Sequence, residues 1–571
     1  MKKIDKEYYD ILKQVDYKKL ERTLRDSFER QVFYEGKELF IKMLTAAYIL
    51  LEAQDSKIEL KDKDFNSFID LLDAPAKIKE TLQYYANDDV VWMISKNFLN
   101  VFQNDELISF ILFNDLSNSR RSNYLPTSPE GILKLTQKLL DIKNTDNIIE
   151  LNSGLGNFGI LMFLDNQKLK FKGLEDDIIS NHIAILKFSL FSDEIIFENT
   201  NTSNYQIDKK VNKIFVNFPF NEFLAERYPG VSLDKNFPEW EFTKLLLDKI
   251  REGTKVVSIV REHTLSIRKN KNILKEFIEE GLIETVISLP SGIFQGIGFK
   301  VALVIFSKEN KKVKLIDATD LYVVEKKNNI ISDENIEKIL KCFHEDSKKT
   351  ISKNIQDIKD NNYNLDVNEN IQENYQAKEG VQLKAVIKNI TRGSQIKLSE
   401  LEGLKSDKPT PFLYLTLTNI NDGIIEFNNN EQYLTMIPKK LEKYCIKNNS
   451  FLIPKIGTPP YKLAIAQVDN ERKILPNGNF IVIELDESKI NPWYLAAFFT
   501  SDLGVEYLKY RYKGNIISHL SISDLEKIVI PLYELEEQNK IAQKYIETID
   551  EIKKLKEKLE EKKISLKGIF K

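Results

Sequence analysis

The sequence predicts an α/β fold in which a mostly parallel sheet is preceded by helices and followed by a smaller α+β region and a long helix. Residues 1–120 carry helical periodicity almost throughout. Residues 121–370 contain strand-like apolar runs that end at glycine, acidic or asparagine residues, as strands of an open α/β sheet do at their carboxyl ends. After residue 381 the chain alternates short strands and turns, and it ends in a helical stretch.

We expect four structural parts, since a length of 571 residues suggests roughly three to four domains. They are a helical N-terminal domain at 1–120, an α/β domain at 121–370, an α+β domain at 381–535 and a C-terminal helix at 536–571. A polar, lysine-rich stretch at 331–380 is expected to form a charged helix and a connector.

The composition is that of an ordinary globular protein and excludes several classes of protein. No stretch approaches the ~18 apolar residues of a membrane span, and the N-terminus lacks the apolar segment of a secretory signal. Cys342 and Cys445 lie far apart and predict reduced thiols in a cytoplasmic protein. The four histidines are scattered, so we expect neither a metal site nor histidine-based hydrolysis.

The first 120 residues predict a helical bundle for packing or subunit contact. Glu38–Leu51 is apolar on most of its circumference, as in a buried helix, and Asp64–Leu72 carries the stripe of an amphipathic one. A further helix is predicted from Gly131 to about Ile142. Ser128 suits its N-cap and Pro129 its first turn.

A strand, a glycine turn and a helix are predicted within Asn147–Leu161. Gly154 and Gly156 allow the backbone to approach a ligand, and the following helix offers free N–H groups and the positive end of its dipole. The third glycine of a dinucleotide-binding fingerprint is taken as missing, because Gly159 follows Gly156 by only three residues and no acidic-tailed unit of the expected length follows. A second strand ends at Glu175, where a carboxylate can bind two ribose hydroxyls.

The tetrapeptide Asn217-Phe218-Pro219-Phe220 follows the apolar run Lys213–Val216. A short β-branched run that stops at an Asn and a Pro predicts a buried strand that opens into a loop at its carboxyl end. Ligands bind at that edge of open α/β sheets. A lone Gly-x-Gly is a weak signal of a ligand-binding site. Gly-x-Gly, Glu175 and this tetrapeptide, each at a strand end and in that order, form a stronger one.

This series of motifs resembles the amino-group DNA methyltransferases, most closely the modification subunit of type I restriction-modification systems. Residues 150–158 resemble the S-adenosylmethionine loop of that family, and Thr127-Ser128-Pro129 resembles the Thr-Pro segment before it. The tetrapeptide resembles the family's Asn-Pro-Pro-Phe/Tyr motif. The similarity continues through Leu282–Phe294 and Asn361–Leu365.

The resemblance covers about residues 120–370 and implies a Rossmann-like, S-adenosylmethionine-dependent methyltransferase domain. The residues expected to bind the cofactor are Thr127, Ser128, Glu150, Gly154, Gly156, Glu175 and Asn199. The residues expected to be catalytic are Asn217, Phe218, Pro219 and Phe220. The chain departs from the family at four positions, where Glu150 replaces the usual Asp, Phe218 the first Pro, and Asn199 and Asn212 stand where Asp is common.

The chemistry of methyl transfer to an exocyclic amine gives the tetrapeptide a mechanism. The base must leave the duplex, since its amino group is otherwise paired. The side-chain oxygen of Asn217 can accept one amino hydrogen, the backbone carbonyl of Phe218 the other, and Phe220 can stack on the flipped base. Because residue 218 acts through its carbonyl, replacing Pro by Phe keeps the group that matters. The two acceptors push the amino nitrogen toward a tetrahedral, nucleophilic geometry, so no strong general base is required, and positioning supplies much of the rate. We therefore expect an active enzyme.

Residues 381–571 resemble half of a type I specificity subunit, with one target-recognition domain and one spacer helix. They hold 29 Lys and Arg against 25 Asp and Glu, whereas residues 1–380 carry a net charge of −7. This asymmetry allows DNA binding but does not require it. The resemblance implies double-stranded DNA as a partner, and the expected contacts are Arg392, Lys455, Arg511, Tyr512 and Lys513.

The C-terminal helix carries apolar residues at the spacing of a coiled-coil seam. These residues are Ile541, Tyr545, Ile549, Ile552, Leu555 and Leu559. A single helix cannot bury such a stripe alone, so we expect it to pair, in cis or with another chain.

The sequence therefore predicts a site-specific N6-adenine DNA methyltransferase with its own target-recognition domain, in a restriction-modification or related defence system. We expect a homodimer or larger assembly formed through the C-terminal helix, and any cleavage would need a separate restriction subunit. Two alternatives stay open. One is a catalytically decayed, methyltransferase-fold DNA-binding subunit, and the other is a methyltransferase of RNA or protein, which the C-terminal region disfavours.

Overall fold

The computed structural model divides the chain into two compact units, Met1–Val367 and Asn368–Lys571. The structure describes residues 3–31, 36–57, 65–86, 88–114, 127–194, 196–203, 205–218, 238–266, 271–294, 299–325, 328–372, 380–427, 431–468, 471–512 and 518–567. No helix within these ranges is long and apolar enough to cross a membrane.

The first unit opens with a group of helices, as the sequence predicts. Their bounds are α1 (Lys6–Leu12), α2 (Lys18–Gln31), α3 (Gly36–Ser56), α4 (Phe65–Leu71), α5 (Ala76–Ala86), α6 (Asp89–Asn97) and α7 (Asn104–Phe113). α3 contains the predicted buried helix. Its residues from Leu39 to Ala53, except Lys42, are buried, and it packs against α5, α6 and α7.

A nine-stranded, mostly parallel sheet forms the centre of the first unit. Its strands are β1 (Asn147–Leu151), β2 (Lys170–Glu175), β3 (Phe197–Asn199), β4 (Lys213–Val216), β5 (Lys255–Arg261), β6 (Ile283–Ser288), β7 (Val301–Phe306), β8 (Lys312–Asp317) and β11 (Thr350–Asn354). Their order is β11-β8-β6-β7-β5-β4-β1-β2-β3. β7 runs antiparallel to β5 and β6, and β11 runs antiparallel to β8. The predicted α/β fold is thus confirmed.

Helices and a small hairpin complete the first unit. The helices are α8 (Glu130–Leu140), α9 (Asn157–Asp165), α10 (Ile178–Ser189), α11 (Pro238–Leu247), α12 (Lys271–Glu279), α13 (Asp333–His344) and α14 (Ile355–Asp360), and the hairpin pairs β9 (Val323–Glu325) with β10 (Asn328–Ile330). One face of the sheet shares a hydrophobic core with α8 and α13, in which Phe215, Val257 and Leu303 are fully buried.

Two local predictions in this unit were wrong. Pro129, not Ser128, is the N-cap of α8, and it makes no side-chain capping bond because proline has no side-chain acceptor. The Ser128 hydroxyl instead donates to Asn217 Oδ1. The polar stretch 331–380 is more than a charged helix and a connector, since its residues 350–354 form the edge strand β11. That edge position, half exposed, explains its polar composition.

The second unit contains two mixed sheets and a short strand pair. After α15 (Val367–Ile371) come β12 (Val381–Gln382), β13 (Ile387–Arg392), α16 (Leu398–Leu404), β14 (Lys405–Ser406), β15 (Phe412–Leu415), β16 (Ile420–Asn421), β17 (Ile424–Ile425), β18 (Gln432–Leu434), β19 (Phe451–Pro454), β20 (Ala464–Ile465), β21 (Lys473–Pro476), β22 (Phe480–Leu485), α17 (Pro492–Thr500), α18 (Asp502–Lys509), α19 (Ile522–Glu526), β23 (Val529–Ile530) and α20 (Leu535–Lys567). The sheet orders are β13-β22-β19-β20-β17-β16, β14-β18-β15-β21 and β12-β23. The hairpin signal at Asp422-Gly423 is confirmed, since these residues have positive φ and join β16 to β17.

The long helix α20 is anchored at its first turn and exposed at its far end. Gln538 is fully buried, and its amide donates to the carbonyls of Lys489 and Tyr533 and accepts from the Asn491 N–H. The first half of α20 packs against α17. The seam residues beyond Ile549 become exposed, with 64% of Leu555 and 54% of Leu559 accessible.

A buried ion pair attaches α11 to the end of β5 and provides a test of this packing. Glu239 is fully buried and accepts from Arg261 Nε at 2.8 Å and Nη2 at 2.7 Å. Glu239→Gln removes the charge that compensates the guanidinium, so we expect the full-length protein to lose about 3–5 kcal/mol of stability in chemical denaturation. Glu280→Gln, which breaks a more exposed contact to Lys244, serves as the control and should change stability by less than about 1 kcal/mol. Equal losses in the two variants would contradict the assignment.

Candidate active site

The carboxyl ends of four parallel strands bring the predicted motifs to one edge of the sheet. β1 leads into the glycine loop at 152–156, β2 ends at Glu175, β3 ends at Asn199, and β4 leads into Asn217. β1 lies between β2 and β4. The glycine loop therefore starts between Glu175 and Asn217, and Asn199 lies beyond Glu175.

Glycine is required at the two loop positions for different structural reasons. Gly154 has φ +54°, and a β-carbon there would meet no atom within 4 Å, so its backbone is open to a ligand. Gly156 is the N-cap of α9 with φ +78°, and a β-carbon there would lie 2.8 Å from Phe197 Cζ. Treating the third glycine as missing was wrong, because Gly159 fills that place: a β-carbon there would lie 2.7 Å from Phe197 Cζ and 2.8 Å from Phe171 Cε1. The spacing Gly-x-Gly-x-x-Gly was the signal that could have identified it.

The Glu175 side chain holds the two loops that follow β1 and β2. It is fully buried, and its carboxylate accepts from the Gly154 N–H at 2.7 Å and from the Asp177 N–H at 3.0 Å. A carboxylate oxygen has two lone pairs, so a carboxylate can accept several donors at once, hydroxyl groups included. This arrangement suits the predicted role of Glu175, which stays a prediction.

Glu150 lies on β1, opposite Gly173 of β2, and is buried beside Glu175. Burial raises its pKa well above the usual value, and the charge of Glu175 acts in the same direction. Among the described residues, no donor bonds Glu150 Oε2 or the Ser153 hydroxyl in the adjoining loop. These buried polar atoms and the open backbone at Gly154 fit a polar ligand such as S-adenosylmethionine.

Asn199 stabilises the loop after β2. Its side-chain amide donates to the carbonyl oxygens of Glu175 and Asp176 at 2.9 and 3.0 Å. The Asp176 carboxylate, which the sequence did not single out, accepts from the backbone N–H and hydroxyl of Thr202 at 2.9 and 2.6 Å. An adenine contact by Asn199 stays a prediction.

Asn217 is held at its backbone and at its side chain. Its N–H donates to the Leu151 carbonyl at 3.1 Å, and its Oδ1 accepts from the Ser128 hydroxyl at 2.7 Å. Ser128 thus contacts a predicted catalytic residue, although the sequence placed it with the cofactor. Thr127, its neighbour, is half-buried.

The Phe218 ring is buried and packs on Phe242 of α11 with ring centroids 5.5 Å apart. Packing of this ring restrains the loop at the position where the family has a proline. Pro219 and Phe220, predicted as catalytic, lie outside the described residues.

The predicted DNA contacts of the second unit divide into two groups. Arg392 ends β13 and Lys455 follows β19, and both strands flank β22, so these two residues lie at the same end of the six-stranded sheet. Tyr512 is buried. Its ring stacks on Tyr461 at 4.5 Å, and its hydroxyl donates to the Pro454 carbonyl. Burial lowers the pKa of Arg511, which lies near Asp524 and Glu369. Lys513 lies outside the described residues.

Comparison with known proteins supports the interpretation of the first unit. Residues 123–379 match the N-6 DNA Methylase family. The methylase subunit of the type I restriction enzyme MjaVIII from Methanocaldococcus jannaschii is 27% identical over 283 residues, which are 42% of this chain and 48% of that relative. The MpnII methylase subunit of Mycoplasma pneumoniae is 31% identical over 105 residues, 17% of this chain and 19% of the relative. The chain thus spans about half or less of the length of these relatives.

Among solved structures, a methyltransferase subunit of a type I restriction-modification system from Streptococcus thermophilus aligns with a TM-score of 0.44 and 17% identity, over 63% of this chain and 86% of that chain. The family match confirms the expected resemblance of the central region, and it implies S-adenosylmethionine as the cofactor. The match ends at residue 379, so the resemblance of residues 381–571 to a specificity subunit stays a prediction.

The buried Glu150 predicts a specific dependence of stability on pH. Its folded-state pKa lies above the ordinary value of 4.5, so the folded protein binds this proton more tightly than the unfolded chain does. Wild-type protein should therefore lose stability relative to Glu150→Gln as the pH rises above about 4.5 toward the folded pKa. The measurement is thermal unfolding of both proteins without added cofactor between about pH 5 and pH 8. Glu194→Gln, at an exposed position, is the control, and a constant difference between wild type and Glu150→Gln would contradict the prediction.

Proposed function

We propose that this protein is a site-specific DNA methyltransferase that transfers a methyl group from S-adenosylmethionine to N6 of an adenine flipped out of the duplex. The observation that carries the proposal is the convergence of the glycine loop, Glu175 and Asn217 at one sheet edge, within a region that matches a DNA N6-methylase family. The cofactor, when bound, supplies the electrophilic methyl group. The residues proposed to hold it are Thr127, Glu150, Gly154, Gly156, Glu175 and Asn199.

Asn217 and Phe218 orient the amino group in this proposal. Asn217 Oδ1 accepts one amino hydrogen and the Phe218 carbonyl accepts the other, which draws the nitrogen lone pair out of conjugation with the ring. The Ser128 hydroxyl already bonds Asn217 Oδ1, but a carbonyl oxygen has two acceptor sites, so one remains for the base. Ser128 is therefore a positioning residue that fixes the side-chain oxygen of Asn217, and Phe220 is proposed to stack on the base.

The second unit is proposed to recognise the DNA target. Arg392 and Lys455 lie at the same end of one sheet, where they can bind phosphates or base edges. Arg511, Tyr512 and Lys513 are proposed to form the neighbouring contact loop. Because Tyr512 is buried, it would act by shaping this loop through its bond to the Pro454 carbonyl.

The exposed half of α20 is proposed to pair with the same helix of a second copy. Ile552, Leu555, Leu559, Ile564 and Leu566 are all at least 37% exposed. Two copies would bring two recognition units to one DNA site, and any cleavage would come from a separate restriction subunit.

A second candidate function rests on Phe218, where the chain departs from the family. A catalytically decayed protein would keep DNA binding without methyl transfer. The burial of the Phe218 ring against Phe242 favours the active enzyme, because it restrains the backbone that must present the carbonyl.

Replacing Asn217 tests the activity and the mechanism together. We expect wild-type protein to methylate adenines at a defined DNA sequence, mapped by long-read sequencing, and Asn217→Ala to lower the rate by at least about 10²-fold while DNA binding persists. Ser128→Ala should lower the rate less, because the Asn217 oxygen itself remains.

Asn144→Ala is the matched control, since this exposed asparagine lies just before β1 at the opposite edge of the sheet. Methylation unaffected by Asn217→Ala would exclude the mechanism. Sequence-specific DNA binding by wild-type protein without methylation would establish the decayed alternative.

If α20 pairs with the same helix of a second copy, disrupting its exposed seam should lower the mass of the particle in solution. Leu555→Asp combined with Leu559→Asp should convert a dimer to a monomer in light scattering, because charges at both positions cannot be buried between helices. Glu557→Ala, on the opposite side of α20, should leave the mass unchanged. A monomeric wild-type protein would remove the dimer proposal.

A further inference from the structure

A second set of polar side chains lies at the same sheet edge, and the mechanism above does not use it. Glu262 is the first residue after β5, and Ser288 is the last residue of β6. Both strands run parallel to β4, which leads into Asn217. Glu262 and Ser288 therefore face the edge where the substrate is proposed to bind.

This cluster is buried but its hydrogen bonding is incomplete. Glu262 is 5% exposed, and Ser258 and Ser288 are fully buried. Within the described part of the chain, Glu262 Oε1 and the two serine hydroxyls have no hydrogen-bond partner. The Ser288 hydroxyl lies beside the Glu262 carboxyl without the geometry of a hydrogen bond. A buried polar atom without a partner is costly, so it commonly marks a place where a ligand completes the bond.

Pairing with β7 places the three residues on one face of the sheet. Ser258 pairs with Val304 and Ser288 with Ala302, two positions apart on β7, where side chains share a face. The Glu262 N–H donates to the carbonyl of Lys300, which is the next position in that series.

The surroundings of Glu262 favour a neutral carboxyl group. Burial raises its pKa to about 7, against the opposing effects of the Lys300 charge and the Ser288 hydroxyl, while Asp366 and Asp317 act in the direction of burial. These are the charged groups that face it, since Arg261 is engaged with Glu239. Unlike an ionised carboxylate, a protonated carboxyl donates a hydrogen bond.

The strand register places Glu262 and Asn217 beyond the ends of adjacent strands. Val216 of β4 is paired with Ser258 of β5, so both strands leave the sheet at the same edge, next to each other. Side chains alternate between the faces of a sheet, so Asn217, one residue after Val216, and Glu262, four residues after Ser258, approach this edge from opposite faces. A flat base that lies beyond the edge could therefore be contacted from both sides.

We propose that Glu262 is a substrate-binding residue that donates a hydrogen bond from its protonated carboxyl to N1 of the flipped adenine. This inference rests on the proposed function. N1 adjoins the carbon that bears the amino group, so a base whose amino group is held by Asn217 presents N1 as its next acceptor. Guanine carries a hydrogen at N1 and would meet this donor with another donor, so the contact selects adenine over guanine.

The first experiment compares pH profiles on the DNA sequence that wild-type protein methylates. Because the protonated form is the donor, the wild-type kcat/KM should fall as the pH rises past about 7. Glu262→Gln carries an amide donor at every pH, so it should keep activity within about threefold at pH 7 and lose this decline. Glu252→Gln is the matched control at the other end of β5, and it should keep the wild-type profile.

The second experiment removes the acceptor from the DNA. A duplex with 1-deazaadenine at the target position should lower wild-type kcat/KM by about 10-fold, the size expected of one hydrogen bond, and its pH decline should vanish. Glu262→Ala should be equally slow on adenine and 1-deazaadenine. This comparison also works with wild-type and Glu262→Gln alone if the alanine variant does not fold.

The outcomes separate this inference from the proposed function. If Asn217→Ala abolishes methylation but 1-deazaadenine slows wild type and Glu262→Ala equally, Glu262 does not contact N1 and only this inference fails. A purely structural role for Glu262 would lower the unfolding temperature of its variants and leave the pH profile unchanged, which would also overturn it. If wild-type protein methylates no DNA, both proposals fail together.

Discussion

The buried carboxylate of Glu175 is the interaction on which the arrangement of the candidate site depends. It accepts the N–H of Gly154 from the loop after β1 and the N–H of Asp177 from the turn after β2. The same two loops would contact different parts of one ligand. Since both loops are fixed by a single side chain, their separation is set before any ligand binds, and such preorganisation lowers the cost of binding.

Close packing around the Phe197 ring also contributes to the arrangement of the candidate site. β-carbons at Gly156, Gly159 and Gly173 would each lie within 2.8 Å of its ring atoms. The absence of side chains at these positions lets α9 and β2 approach this ring, which belongs to β3. Gly154, which is also in the loop, has open space instead. Thus three glycines serve packing, and one leaves backbone exposed to a ligand.

Much of the fold could be predicted from the sequence because its signals were local. Apolar runs, helical periodicity and glycine turns specified the parallel sheet, and the buried helix at Glu38–Leu51 appears within α3. The edge strand β11 could not be predicted, since its half-exposed, lysine-containing sequence resembles a connector until its partner β8 is known. Gln538 shows the same limit. Its three hydrogen bonds reach Lys489, Asn491 and Tyr533, and no local pattern indicates these partners.

The candidate site was predictable as a set of strand ends but not as a set of contacts. Order along the chain placed Gly154, Glu175 and Asn217 together, because parallel strands end at one edge. The bond between Ser128 and Asn217 joins residues 89 positions apart, and no spacing rule indicates it. Glu262 was missed for a related reason. An isolated glutamate after a strand has no motif, and only burial and neighbours from three other strands reveal its unusual charge state.

The acidic residues at this edge differ in their hydrogen-bond donors. Glu175 accepts two backbone N–H groups, whereas Glu150 beside it is buried without a donor to one of its oxygens. Burial, together with the charge of Glu175, raises the pKa of Glu150 well above its usual value. Glu262 repeats the pattern beyond Asn217, where burial favours the neutral form. A neutral hydrogen-bond donor at Glu262 suits the side of the site that is proposed to hold an uncharged base, whereas the carboxyl groups near the glycine loop lie on the side proposed to hold a cationic sulfonium.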